Sequence, residues 1–373
     1  MRKSIRLFFL WLLLGALAPV APAAGEIKIG LYLPMTGPAA AMGQMVYEGV
    51  QVAHKLQPQV LGQPVKLALA DTKSDKIEAA NAVSRLIEKE KVAAIIGEVI
   101  SSDSLAGAPI AERAKVPNIA PTATNPLVTQ GRKYAFRACF VDDLQGRVAG
   151  RFAREHLKAN KAAVLIDQAQ DYCVAIANYF QEEFKKRGGE IVATTYIQTG
   201  DQDFSAQISA LKAKNPDLIY APNYYAENAL LAKQLQDLGV KAPILTGDGA
   251  QVPELLSIGG KAVEGMYFTA HFHRQGAVTD LGKKFLKAYE EAHNKDLDAF
   301  SALAGDAYFL LLNAMEKAGG TDGPKVAQAL EATRDFPGVT GKITMGPDHN
   351  PIKGVVVLKV DQGKFAYQTT INP

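Results

Sequence analysis

Two short hydroxyl-rich segments, each placed after an apolar run, set the chemistry open to this chain of 373 residues. Ser101-Ser102-Asp103-Ser104 follows Val92-Ala93-Ala94-Ile95-Ile96-Gly97, and Thr122-Ala123-Thr124-Asn125 follows Pro117-Asn118-Ile119-Ala120-Pro121. Read as buried strands, these runs place the hydroxyls where a parallel strand ends and a helix begins. Side-chain hydroxyls and unpaired backbone N–H groups at the positive end of a helix dipole hold a small anion such as a carboxylate. Further along, Tyr172 follows the strand-like run ending at Asp167, Tyr224 and Tyr225 follow the run ending at Tyr220, and Asp248 follows the run ending at Thr246. All should point into one crevice. Hydroxyls and N–H groups on one wall, with a carboxylate and phenols on the other, make a receptor for a zwitterion, and an α-amino acid is the simplest one.

Each member also has a purely local reading. Ser101 to Ser104 reads as a helix N-terminus with Ser101 or Ser102 as cap, and Thr122 to Asn125 as a turn before Pro126. Asp248 between two glycines is an ordinary turn residue, and tyrosines at strand ends often form a core rim. The joint case is stronger because all fall at the same topological position.

Patterns for covalent chemistry fail. The chain has no G-x-S-x-G elbow, no Walker A sequence, no H-E-x-x-H and no paired C-x-x-C. Gly247-Asp248-Gly249 begins like a dinucleotide fingerprint but lacks the third glycine. His271 and His273 would share one face of a strand at a spacing that suits a metal, yet an exposed strand end explains them equally, and no acidic or cysteine partner stands nearby in sequence. Asp142-Asp143 reads as a helix cap before acid–base chemistry. No cofactor and no metal are expected.

The elements that must position these residues alternate between strand-like and helix-like for most of the length, which argues parallel sheets covered by helices. Strands are expected at 26–33 and 65–70, and helices at 47–56 and 76–88, the latter with Ile77, Ala80, Val83 and Ile87 on its apolar face. Residues 136–141, with Asp142-Asp143 as a cap, open a second block. Its strands fall at 162–166, 191–196, 218–220, 243–246 and 265–270, and its helices at 172–186, 204–214 and 227–238. Two consecutive blocks imply two doubly wound, Rossmann-like α/β domains with ligand at the carboxyl ends of the strands, in the cleft between them. Helices at 281–291, 302–317 and 325–333 would complete the first domain. A hairpin around Asp361-Gln362-Gly363 would complete the second. The expected lobes are 24–140 with 273–338 and 141–272 with 339–373, and such multiple crossings make a hinge.

Composition agrees with an exported globular protein. Arg2, Lys3 and Arg6, an apolar stretch over residues 7–18 and Ala21-Pro22-Ala23 read as a signal peptide cleaved near Ala23, too short for a membrane span. Its removal lowers Lys+Arg from 41 to 38 against 38 Asp+Glu, so the net charge of +3 resides in that segment. No footprint for nucleic acid or a membrane surface remains. Cys139 and Cys173 permit one disulfide, whose formation the sequence leaves open.

At these residues the chain resembles the branched-chain amino-acid-binding proteins, periplasmic receptors for Leu, Ile and Val with the type I periplasmic binding fold. The resemblance spans the mature chain. It runs from Ile29-Gly30-Leu31-Tyr32-Leu33-Pro34-Met35-Thr36-Gly37-Pro38 through Ile96-Gly97 to Ser102 and Ala120 to Pro126. It continues through Phe136-Arg137, Gln145-Gly146, Gly200-Asp201-Gln202-Asp203-Phe204 and Gly247-Asp248-Gly249. It implies that Ser101 and Thr124 hold a ligand α-carboxylate, that the carbonyl at Thr122, beside Ala123, accepts from the α-ammonium, and that Asp248 pairs with it. Tyr172 and Tyr224 match phenols of the second lobe. Met42, Ile100 and Phe300 would line the side-chain pocket. Relatives often carry an aromatic at Met42, a cysteine at Ile100 and Glu at Asp248, so selectivity is where this chain departs. The resemblance further implies hinge closure and delivery to the membrane subunits of an ABC importer in the periplasm, by a monomer. A rival within the same fold is another small carboxylate, aromatic acid or amide; a secreted α/β enzyme, suggested by Asp142, Asp143 and the histidines, is more remote.

Overall fold

The computed structural model describes residues 25–372, so the export signal expected over residues 1–23 lies outside the described residues. The chain opens with β1 (Ile27–Leu33), α1 (Ala40–Leu56), β2 (Gln59–Val60), β3 (Gln63–Asp71), α2 (Lys76–Glu88), β4 (Ala94–Ile96), α3 (Ser101–Ala114), β5 (Asn118–Ala120) and β6 (Ala135–Arg137). β1 is apolar throughout its second half because Leu31, Tyr32 and Leu33 are buried on both faces of the sheet. The sheet runs β2-β3-β1-β4-β5-β6, with β1 parallel to both β3 and β4.

The chain then forms α4 (Asp142–Glu155), β7 (Lys161–Asp167), α5 (Asp171–Lys186), β8 (Glu190–Ile197), α6 (Ser205–Lys212), β9 (Leu218–Tyr220), α7 (Tyr225–Asp237), β10 (Ile244–Thr246), α8 (Pro253–Gly259) and β11 (Tyr267–Ala270). The tail holds α9 (Asp280–His293), α10 (Ala299–Ala318), α11 (Gly323–Glu331), β12 (Phe336–Gly338), β13 (Gly341–Ile343), β14 (Val355–Asp361) and β15 (Lys364–Ile371). The second sheet runs β15-β14-β11-β10-β9-β7-β8. It is mixed rather than wholly parallel, since β14 pairs antiparallel with β11 and β15. Asp361 pairs with Lys364 across a two-residue turn in which Gln362 and Gly363 have φ of 51° and 68°. Both values being positive is what a tight hairpin following the strand twist requires.

Tail helices return to the first sheet. The Tyr308 hydroxyl of α10 donates to the Gln57 carbonyl at 2.8 Å, and the Ser301 hydroxyl donates to the Met45 carbonyl at 2.9 Å. Gly49 permits this approach of α10 to α1, because a Cβ there would lie 2.3 Å from the Ser301 carbonyl oxygen. The result is two doubly wound α/β lobes joined by crossings at 138–141, 271–279 and 344–354.

Three local expectations are corrected. The strand expected at 136–141 does not open the second block: β6 pairs in parallel with β5 and closes the first sheet. In α2 the core face is Ala79, Ala82, Val83 and Leu86, whereas Ile77 is 72% exposed. The expected stripe shares only Val83 with this face, and Ile77 stands in the first turn of the helix. The caps also differ, because Ile100 precedes α3 and Val141 precedes α4, and neither helix has a side-chain cap bond.

Gly49→Val should overpack the α1–α10 contact and lower stability by about 1–3 kcal/mol or more, read from urea unfolding followed by circular dichroism. Unchanged stability would show that the helices separate freely.

Candidate functional site

In each sheet the strand order reverses at one point, and the site residues flank those points. Met42 lies on α1 after β1, and Ser101 opens α3 after the neighbouring β4. Tyr172 lies on α5 after β7, and Tyr224 precedes α7 after the neighbouring β9. Helices leave such adjacent strands on opposite faces, which opens a crevice at the strands' carboxyl ends. The two crevices face each other.

Between them lies a small, narrow cavity. Ser101, Thr122 and Thr124 line it from the first lobe, with Val99, and Tyr172, Tyr224, Asp248 and Gly249 from the second. Met42 and Phe300 close one end. Neither α3 nor α7 has a side-chain cap, so their first-turn N–H groups are left without a side-chain acceptor of their own.

Asp248 is 4% exposed, and both oxygens of its carboxylate have partners. Oδ1 accepts from Gln145 Nε2 at 2.8 Å and from the Tyr172 hydroxyl at 3.0 Å, while Oδ2 lies 3.0 Å from His271 Nε2. Burial alone would raise this carboxyl, but His271, Gln145 and Tyr172 outweigh it and hold Asp248 below its ordinary value. The flanking glycines are needed, since a Cβ at Gly247 would lie 2.0 Å from the Tyr172 hydroxyl oxygen. Tyr172 and Tyr224 stack with centroids 5.5 Å apart. Burial raises both phenols well above their ordinary value, so they act as neutral hydroxyls.

The first-lobe wall is built by buried polar groups. Glu98 accepts from the Thr72 hydroxyl at 2.6 Å and from the Ile100 N–H at 2.7 Å, fixing the turn before Ser101. The Thr122 hydroxyl donates to the Val99 carbonyl at 2.9 Å, and Ser101 Oγ accepts from the Asn125 N–H at 3.1 Å, tying the two hydroxyl segments together. Arg137, fully buried, donates to the carbonyls of Ala123 at 2.8 Å and Asn125 at 2.9 Å. Behind this wall burial, with Asp75 adding to it, pushes the Asp103 carboxyl up to about 7, and burial drives Glu98 and Asp142 well above their ordinary values.

The lobes touch at the rim through Asp171. Its backbone N–H donates to Ser102 Oγ at 3.0 Å, the Ser102 hydroxyl lies 2.9 Å from its carboxylate, Asn125 Nδ2 donates to its carbonyl at 3.1 Å, and Lys76 pairs with it at 3.1 Å. Ser102 therefore caps α5 of the opposite lobe, not its own helix. Tyr225 also bridges the lobes, donating to the Pro38 carbonyl at 2.8 Å.

Of the expected site residues, Met42, Ser101, Thr122, Thr124, Tyr172, Tyr224, Asp248 and Phe300 meet at the cavity. Ile100 and Ala123 are buried behind it and are not among its lining residues. His271 was expected to lack an acidic partner and has one in Asp248. His273 is apart from it, and no cluster that could hold a metal occurs among the described residues. Gln145 and His271 are site residues that the sequence reading did not assign. The strand-end rule could have found His271, which directly follows β11.

Comparison with known proteins agrees with this geometry. The periplasmic binding protein family matches residues 26–364, and the chain belongs to that family. It is 32% identical to the Leu/Ile/Val-binding protein BraC3 of Rhizobium johnstonii over 336 residues, 89% of this chain and 90% of the relative. Among solved structures it resembles a leucine-binding protein, LivK, of Thermotoga maritima, with 48% identity, TM-score 0.92, and coverage of 93% of this chain and 99% of that one. It also resembles the substrate-binding protein LivJ of Streptococcus pneumoniae in complex with isoleucine, with 32% identity, TM-score 0.88, and coverage of 94% and 100%. The fold is the type I periplasmic binding fold.

Cys139 and Cys173 do not pair; both are free and buried. Burial pushes the Cys139 thiol up to about 12 and raises Cys173 well above its ordinary value, so neither is a thiolate at neutral pH. A colorimetric disulfide reagent should find no reactive thiol in the native protein and both after denaturation. A fast native reaction would contradict this burial.

Proposed function

We propose that this chain is the substrate-binding component of an ABC importer, closing around an apolar, branched-chain α-amino acid. The observation that carries the reading is a buried carboxylate, held ionised by three partners, facing an uncapped helix N-terminus across a narrow cavity. Ser101 and Thr124, with the first-turn N–H groups of α3, receive the ligand carboxylate. Asp248 and the Thr122 carbonyl receive the ammonium. Met42 and Phe300 contact the side chain, and burying a Val or Leu side chain contributes about 1.5–3 kcal/mol. Ile100 and Ala123 act from behind, by setting the backbone of the two segments. The relatives bound to or named for Leu, Ile and Val support this ligand class.

Periplasmic residence follows from the family, with export through the segment ending near Ala23. The protein works as a monomer by binding and release, without covalent chemistry, and its membrane partners are the importer subunits. The lobes 24–140 with 273–338 and 141–272 with 339–373 hinge at the crossings, and Asp171 latches the closed form.

Calorimetric titration with Leu, Ile, Val, Ala and Phe should give dissociation constants well below millimolar for the branched-chain ligands; no binding by any amino acid would overturn the reading. Asp248→Asn should cost about 2–5 kcal/mol of binding, as expected when one partner of a buried charge pair is removed. Unaltered affinity would leave a receptor but not one for a zwitterion. Asp171→Ala, outside the cavity, should weaken leucine binding by about 1–2 kcal/mol through loss of rim hydrogen bonds, chiefly as faster release in stopped-flow fluorescence. An unchanged off-rate would remove Asp171 from closure.

A further inference from the structure

His271 is the residue through which the second lobe answers Asp248 from the hinge. It stands where the chain leaves β11 for the crossing at 271–279 and is 5% exposed. Its Nε2 lies 3.0 Å from Asp248 Oδ2, and the Phe140 ring packs on it with centroids 3.8 Å apart. Nδ1 is buried and has no hydrogen-bond partner among the described residues. Only Nε2 has an acceptor, so the neutral ring carries its proton there. An imidazolium would place a second N–H in a buried spot with nothing to accept it.

The charges around the ring are accounted for from every element packed on it. The turn after β10 supplies Asp248. α4 supplies the neutral Gln145 amide and Asp142, whose carboxyl burial raises well above its ordinary value. α5 supplies the neutral Tyr172 hydroxyl, and the crossing before α4 supplies Phe140 and the neutral Cys139 thiol. On the outer side His271 borders a groove with His273, Lys342 and Lys353, and Lys353 pairs with Asp306 at 3.4 Å. With His271 neutral, the negative charge of Asp248 is left uncancelled by the ring. With His271 protonated, that charge is cancelled before a ligand arrives.

We infer that His271 is a positioning residue for the ligand ammonium, holding the Asp248 carboxylate toward the cavity as the neutral imidazole, so that a proton on His271 and an ammonium on Asp248 exclude each other. This rests on the zwitterion reading of the site. Binding to the protein with a protonated His271 then releases that proton to solvent. Acidification weakens binding, and alkalinity restores it.

The test is calorimetric titration of the full mature chain with leucine between about pH 5 and pH 8, repeated in buffers of different ionisation enthalpy to count protons released. Wild type should lose up to about tenfold in affinity per pH unit towards the acid end of this range and release up to one proton per leucine there. His271→Gln keeps an N–H donor for Asp248 without a titrating ring. Whatever its affinity near pH 8, it should flatten the profile and release no proton. A wild-type affinity independent of pH, or an unchanged slope in the folded variant, overturns the inference while leaving the receptor reading intact. Should the variant not fold, proton release by wild type decides, and its absence across the range is the same refutation. No leucine or other amino-acid binding at pH 8 would instead defeat the zwitterion reading, and this inference with it.

Discussion

A carboxylate can be buried in its charged form only where other groups replace the water it has lost. Asp248 meets that condition with a phenol from α5, an amide from α4 and an imidazole from the end of β11. These partners come from separate parts of the second lobe. Gln145 is anchored in turn, its Nε2 also donating to the Thr269 hydroxyl at 2.8 Å. The glycines on either side of Asp248 are what let the tyrosines come so close. Satisfying one charge therefore fixes how α4, α5 and β11 sit together, and with them the start of two of the crossings that join the lobes.

The opposite wall solves a different problem with the same means. An anion site at a helix N-terminus is useful only if the helix does not cap itself, yet orphan N–H groups are tolerated only beside water or a partner. Glu98 and Arg137 make the hydroxyl segments rigid from behind: one holds the Ile100 N–H, the other the carbonyls of Ala123 and Asn125. Each buried group is spent on the backbone, and the hydroxyls of Ser101 and Thr124 are left at the cavity. The helices α2, α9, α10 and α11, by contrast, are capped by Asp75, Thr279, Asp298 and Asp322.

Strand ends were legible in the sequence because their rule is topological. Asp248, Tyr172 and Tyr224 each follow an apolar run, and the fold then brings such ends together. Contacts between distant segments were not legible in the same way. His271 and Asp248 are 23 residues apart and Ser102 and Asp171 are 69 apart, and nothing in local spacing says that an imidazole without a neighbouring acid will find one across adjacent strands. The α2 face was misjudged for a related reason. Ile77 fits a helical stripe, but in the first turn of α2 it is left exposed while the core face runs through Ala79, Ala82, Val83 and Leu86. Family resemblance supplied Met42 and Phe300, which no local pattern marks.

Closure and recognition share one device at the rim. In the closed structure α5 has no side-chain cap from its own preceding residue, Gln170, and its first N–H is taken by Ser102 from the other lobe. Opening the cleft would return that N–H and the Asp171 carboxylate to water, where both are well solvated, so the rim contact favours closure only modestly. A ligand bound as proposed, between Ser101 and Asp248, would add to the same interface without competing for it, because Ser102 and Ser101 occupy successive positions of α3 that face different ways. On the proposed reading, a weak latch beside a stronger ligand bridge would leave the closed form reachable without ligand and let the ligand make it persist.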